Sequence, residues 1–234
     1  MGTAWAEIIT DHAMVEINDI RLQKDAQENP ALFFRRMSLY MKNAIPLFSD
    51  PPEMQGWLSG IEPSFSDAAW TSTGGEGEET VETGLLGFDL MSVVQEQTTR
   101  TGELVLVPYN GASYDPETGN VTFPGGIPEG IRFRMDFYTD GQFDKELSPT
   151  EKRILGKCVA LVWMERFSGD WLNMQPKVND KSFSTGSEAN HIRSMTERGK
   201  ALRAELYSEI SRYAQNLQYM ELVQRGSMLP YRRT

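Results

Sequence analysis

The stretch DFYTDGQFDKELSPTE, Asp136 to Glu151, decides how the chain is divided. It gathers Asp136, Asp140, Asp144, Glu146 and Glu151 around an Asp-Gly pair. As a metal loop it fails on spacing. An EF-hand needs acids at loop positions one, three and five, glycine at six and glutamate at twelve, whereas these aspartates fall four apart. As a catalytic pair it offers nothing that singles out one acid and one base. A join between two kinds of structure accounts for every residue: a strand end, an Asp-Gly turn, then Ser148-Pro149-Thr150-Glu151. Those four residues are a capping box with proline at the first helical position, and their acid sits at the positive end of the helix dipole.

Upstream of the join the pattern is that of strands. Ile131, Phe133, Met135 and Phe137 alternate with Arg132, Arg134, Asp136 and Tyr138, the period of a half-buried strand. Leu104–Tyr109 (LVLVPY) suits a pleated surface, and Tyr114–Phe123 (YDPETGNVTF) reads as a turn followed by a short strand. Gly87–Val94 fits either a fourth strand or a helix. A small antiparallel sheet is therefore expected over roughly residues 81–140.

The flanks are helical. Thr3 can cap a helix whose Trp5, Ile9, Ala13, Ile17 and Ile20 share one face. Asn29-Pro30 opens a second, with Phe33, Met37, Tyr40, Met41 and Ala44 on its stripe and Pro46 as its stop. Downstream, Ile154, Leu155, Val159, Val162 and Trp163 mark the helix begun by the capping box. A long helix from about Ser187 to Gln224 carries Ile192, Met195, Gly199, Leu202, Leu206, Ile210, Tyr213, Leu217 and Met220 at steps of three and four, close to a heptad seam. It is read as the central helix of a bundle, as a surface for neighbouring subunits, or as both. Leu202, Leu206, Ile210, Tyr213 and Leu217 are the candidate subunit-interface residues.

The chemistry-bearing residues are few. Cys158 is the only cysteine, which excludes an internal disulfide and fits a reducing compartment. His12 and His191 are the only histidines, and His12 reads as a packing or surface residue. Gly74-Gly75-Glu76-Gly77 is glycine-rich but anionic, so it would repel phosphate rather than cradle it. No nucleophile elbow, H-E-x-x-H or paired C-x-x-C occurs. No apolar run approaches the ~20 residues that span a bilayer, and the N-terminus has no basic region of a signal peptide. The net charge of −10 disfavours grip on nucleic acid. It is unevenly spread: Thr71–Thr98 carries six acids and no base, whereas His191–Thr234 carries eight bases against four acids. Such opposition reads either as a surface for contact between copies or with a complementary partner, or as a solvated acidic loop and a mixed-charge helix.

The order of parts resembles the head–tail adaptor proteins of tailed bacteriophages, the tail tubular A or gatekeeper type in particular. The features that carry the resemblance are the AWAEIITDHAMVEINDI helix, the YDPETGNVTF hairpin, the strand-to-helix passage and the final helix ending AQNLQYMELVQRG. The long connection from Pro51 to about Gly84 departs from the type. The resemblance implies a structural virion protein of the neck or tail, assembled in the host cytoplasm, with no enzymatic activity and no cofactor. Such proteins form a ring, usually of twelve copies, between the portal protein and the tail tube or nozzle. DNA passes through the ring without being held, and an acidic lumen would suit that. By position, the resemblance assigns portal docking to Leu229, Tyr231, Arg232 and Arg233 in the tail, with Arg225 just before it. Tyr and Arg are also common interface anchors. The alternative is a ligand- or glycan-binding tail or baseplate component, with a β module on a helical stalk and Trp5, Trp57, Trp70, Trp163 and Trp171 as stacking platforms outside the sheet.

The fold expected is α+β and mainly α: a helical bundle with a long C-terminal helix and one inserted small antiparallel sheet. Its expected parts are N-terminal helices over 1–70, an acidic loop and β-subdomain over 71–143, C-terminal helices over 144–226 and a docking tail over 227–234.

Overall fold

The computed structural model describes residues 2–174 and 185–224, and the side chains of 2–168 and 193–224. The chain divides into two units, one formed by 1–19, 37–61 and 142–234, the other by 20–36 and 62–141. The passage between them falls after Gly141, inside DFYTDGQFDKELSPTE.

The first unit is helical. Its N-terminal segment runs α1 (Trp5–Glu7), a π-helical turn over Ile8–Ala13 and α2 (Met14–Ile17), ended by Asn18 in the left-handed conformation. Trp5, Ile8, Ile9, Ala13 and Ile17 are buried, whereas Ile20, expected on the same stripe, is exposed because the helix has already turned at Asn18. Here α6 (Pro149–Met174) and α7 (Thr185–Gln224) form an antiparallel pair. The central helix is α6, not α7. Every residue from Ile154 to Leu161 is buried, so α6 has no solvent face over two turns, as a helix apolar all round must. At Gly156 the π-helical turn crosses so closely that a Cβ there would lie 2.4 Å from the Cβ of His12. That is why glycine stands mid-helix, and His12 is a packing residue. The unit also holds the short helix α5 (Glu53–Trp57) and a small ladder, β1 (Gly60–Ile61) with β9 (Gln142–Phe143), where Phe143 stacks on Trp5.

The second unit holds the other strands. A four-stranded sheet runs β2 (Ser64–Thr71), β8 (Arg132–Thr139), β4 (Asp89–Thr98), β5 (Leu104–Pro108), antiparallel throughout. A three-stranded sheet runs β3 (Glu79–Glu82), β7 (Asn120–Phe123), β6 (Ser113–Asp115). The core between them is Val93, Val121, Phe123, Phe133, Met135 and Phe137, with Trp70 stacked on Phe123 at 4.4 Å and on Phe133. The helix α3 (Ile20–Glu28) and the first residues of α4 (Pro30–Ala44) belong here too, Asn29 capping α4 through a 3.0 Å bond from the Leu32 N–H. Phe34 stacks on Tyr138 at 5.1 Å, and the Arg35 guanidinium lies over Phe65.

The expected fold class is corrected by this topology. The protein is about half helix and a quarter strand with three antiparallel sheets of two, four and three strands, not a helical bundle carrying one small sheet. The difference arises in the Pro51–Gly84 connection, which supplies β1, β2 and β3. SFSDAAWT has no β-branched aliphatic residue and little alternation, so its strand character comes from register with β8 rather than from propensity. Trp70 consequently lies on a strand, against the expectation that all tryptophans fall outside the sheet.

Candidate functional site

The acids of the opening stretch are held separately. Asp136, on β8, accepts from the Ser92 hydroxyl at 2.6 Å, and Asp140 accepts from Tyr138. In the helical unit Asp144 accepts from Ser59 at 3.0 Å and Glu146 pairs with Lys152 at 3.0 Å. Glu151 closes the capping box, accepting from the Ser148 N–H while its own N–H reaches the Ser148 hydroxyl at 3.4 Å. Among the described residues no group of three or more His, Cys, Asp or Glu side chains is placed to hold a metal ion.

Glu151 is buried yet charged. Burial opposes its ionisation, but bonds from the Tyr213 hydroxyl at 2.6 Å, from Ser148 and from Lys145 at 3.2 Å outweigh it and hold the carboxyl below its usual range. Tyr213 is pushed up in turn, by burial and by the carboxylate beside it. Around this carboxylate lies a cleft of about 620 Å³ lined by Trp57, Lys145, Pro149, Lys152, Tyr213 and Leu217, with the Lys145 ammonium 3.1 Å from the Trp57 ring centre.

The seam between α6 and α7 is charge-matched. Lys157, nearly buried, donates to Glu205 at 2.6 Å and Glu209 at 2.9 Å, and Arg153 reaches Glu209 at 2.8 Å. Of the candidate interface residues, Leu202, Leu206 and Ile210 are buried within the chain, and Tyr213 and Leu217 are half-buried. Among the described residues, the large apolar side chains that α7 leaves exposed are Tyr207, Tyr219, Met220 and Leu222. Arg225, Leu229, Tyr231, Arg232 and Arg233 lie outside the described residues.

In the other unit, the anionic glycine loop is filled by its own strand. Glu79 accepts from the Thr73 N–H at 3.1 Å, the Thr73 hydroxyl and the Gly75 N–H at 3.2 Å, which lower its pKa, the Thr73 amide foremost. Cys158 is fully buried and its thiol is pushed up to about 12, so it behaves as an apolar residue.

No family model and no curated protein sequence matches the chain. Two crystal structures of FlgL from Xanthomonas campestris show slight similarity. One covers 76% of this chain and 56% of its own at 12% identity and TM-score 0.18, the other 74% and 58% at 13% and 0.12. The chain thus spans less than two thirds of either, and likeness this low carries no argument.

Proposed function

We propose that the chain is a head–tail adaptor, a structural virion subunit forming a ring, twelve-fold on the resemblance, between a portal protein and the tail tube or nozzle. One observation supports this above others. The helix α7 continues for eleven residues past Tyr213, which marks the start of α6, and that extension exposes Tyr219, Met220 and Leu222. An uncovered apolar helix end leading into an Arg- and Tyr-bearing tail suits docking on a larger assembly. The binding-module alternative draws no comparable support, since Trp5, Trp70 and Trp163 stack on neighbours within the chain and Trp57 lies under Lys145.

The test is co-sedimentation of the purified chain with the cognate portal ring. The full chain should sediment with the portal. A chain lacking Ser227–Thr234 should remain free while melting at the same temperature. Absence of portal binding by the full chain removes the adaptor reading, and binding by the shortened chain removes the docking role of the tail.

A further inference from the structure

The four-stranded sheet has two open edges, and their backbone groups can be assigned. The Tyr109 N–H bonds Val93 and the Thr99 N–H bonds Glu103, so in β5 the odd-numbered residues face β4. The N–H and C=O groups of Leu104 and Leu106, and the C=O of Pro108, therefore point away from the sheet. On the other edge the Ser72 N–H bonds Ile131, so the even-numbered residues of β2 face β8. The N–H and C=O groups of Phe65, Asp67, Ala69 and Thr71 point outward. Among the described residues neither row has a backbone partner.

The side chains match as well. Leu104 and Leu106 are 54% and 49% exposed on the sheet face that also carries Arg132 and Arg134, opposite the aromatic core. Asp67, Ala69 and Thr71, exposed, lie on that same face. Both edges thus offer hydrogen-bonding residues whose side chains share one face, and β2 and β5 run in opposite senses. One copy's β5 set beside another's β2 would extend an antiparallel sheet with its faces in register.

We propose that copies of this chain join by strand addition, β5 of one pairing antiparallel with β2 of the next. The inference rests on the ring reading above and names its subunit contact. The two open edges, rather than area, decide for a second copy in head-to-tail order. A five-residue strand of about 17 Å, in a strip about 10 Å wide, buries about 170 Å² per copy. A stable pairwise interface needs about 800 Å² per partner. A two-fold β5·β5 pair would bury one such strip and leave both β2 edges open. Head-to-tail addition covers both edges of every copy, and where the rotation between copies closes it makes a ring. The apolar exposure on LVLVP is then the cost of a contact made only in the assembly.

Cysteine cross-linking of the full chain tests this. Leu106→Cys and Ala69→Cys are made as separate proteins, mixed at high concentration and treated with a short bismaleimide, with Glu117→Cys, on an exposed turn, as control partner. Buried Cys158 stays silent. The Leu106→Cys and Ala69→Cys mixture should give about tenfold more cross-linked dimer than Leu106→Cys with the control, a difference of about 1.4 kcal/mol. Leu106→Cys alone should give no more than control. Yield at control level overturns the proposal, and self-cross-linking of Leu106→Cys overturns it in favour of two-fold pairing. Failure here with portal binding intact sinks the strand contact alone. Success here without portal binding sinks the adaptor reading alone.

Discussion

Replacing Glu151 by Gln tests the capped start of α6 without changing its shape. The carboxylate is 2% exposed and receives the Ser148 N–H, the Tyr213 hydroxyl and Lys145. The amide oxygen can still accept neutral bonds but loses the ion pair and the favourable charge at the helix N-terminus. That charge contributes about 0.5–1 kcal/mol, and reducing two charge-assisted bonds to neutral ones costs about 0.5–1 kcal/mol each. The total is about 2 kcal/mol, or about 4–8 °C in Tm for a chain of this size. Thermal melts of both proteins from neutral to acid pH give the assay. The folded carboxyl titrates below its unfolded counterpart, so its stabilisation is complete above the ordinary Glu value of about 4.3 and fades as pH falls through the folded value. The Tm gap should therefore be widest near neutrality and close in acid. A gap that stays constant with pH, or under about 0.5 kcal/mol at neutrality, would refute the assignment of a charged, bonded carboxylate.

Gly156→Ala should destabilise the helical unit by about 1–3 kcal/mol despite the better helix propensity of alanine, because the new methyl meets the His12 backbone; a melt showing stabilisation contradicts the close crossing. Leu106→Pro should cost under about 1 kcal/mol, since its N–H faces away from β4, whereas Val107→Pro loses a ladder bond and should cost about 3 kcal/mol; equal losses in chemical denaturation would reverse the edge assignment. Lys157→Met should cost about 2–3 kcal/mol by leaving Glu209 with Arg153 alone, and adding Glu209→Met should restore most of it; a double variant no better than the single one rules out that pairing.

Legibility in the sequence followed local determinism. The capping box at Ser148–Glu151, the Asn29 cap, the alternation of IRFRMDFY and the YDPETGNVTF hairpin each appear in the structure, because each is set by neighbours in sequence. The N-terminal sheet edge was not legible. SFSDAAWT becomes a strand by pairing with residues about seventy positions away, and no propensity in it anticipates that. The roles of α6 and α7 were exchanged for a related reason. The heptad seam of α7 is conspicuous, but a helix with a seam has a face to spare, whereas the near-continuous apolar run of α6 marks the helix covered on all sides. Leu202, Leu206 and Ile210 were legible as an apolar seam, open between a bundle within the chain and a subunit surface, and the structure covers them within the chain.

The contrast between the two units bears on how assembly could be timed. At the α6–α7 seam, side-chain charges meet across 2.6–2.9 Å and folding alone satisfies them. On β2 and β5 the outward amides and carbonyls are bonded to water in a free chain, so leaving them open costs little. Pairing them exchanges water bonds for protein bonds, a gain of about 0.5–1.5 kcal/mol each. Four or five such bonds, with Leu104 and Leu106 covered, contribute a few kcal/mol. Holding two free bodies together costs about 4–15 kcal/mol. A single strand contact therefore barely breaks even. The balance turns when a second surface has already restrained the copies, as docking on a portal would do. An edge this weak pairs free chains only at high concentration and otherwise lets assembly follow attachment.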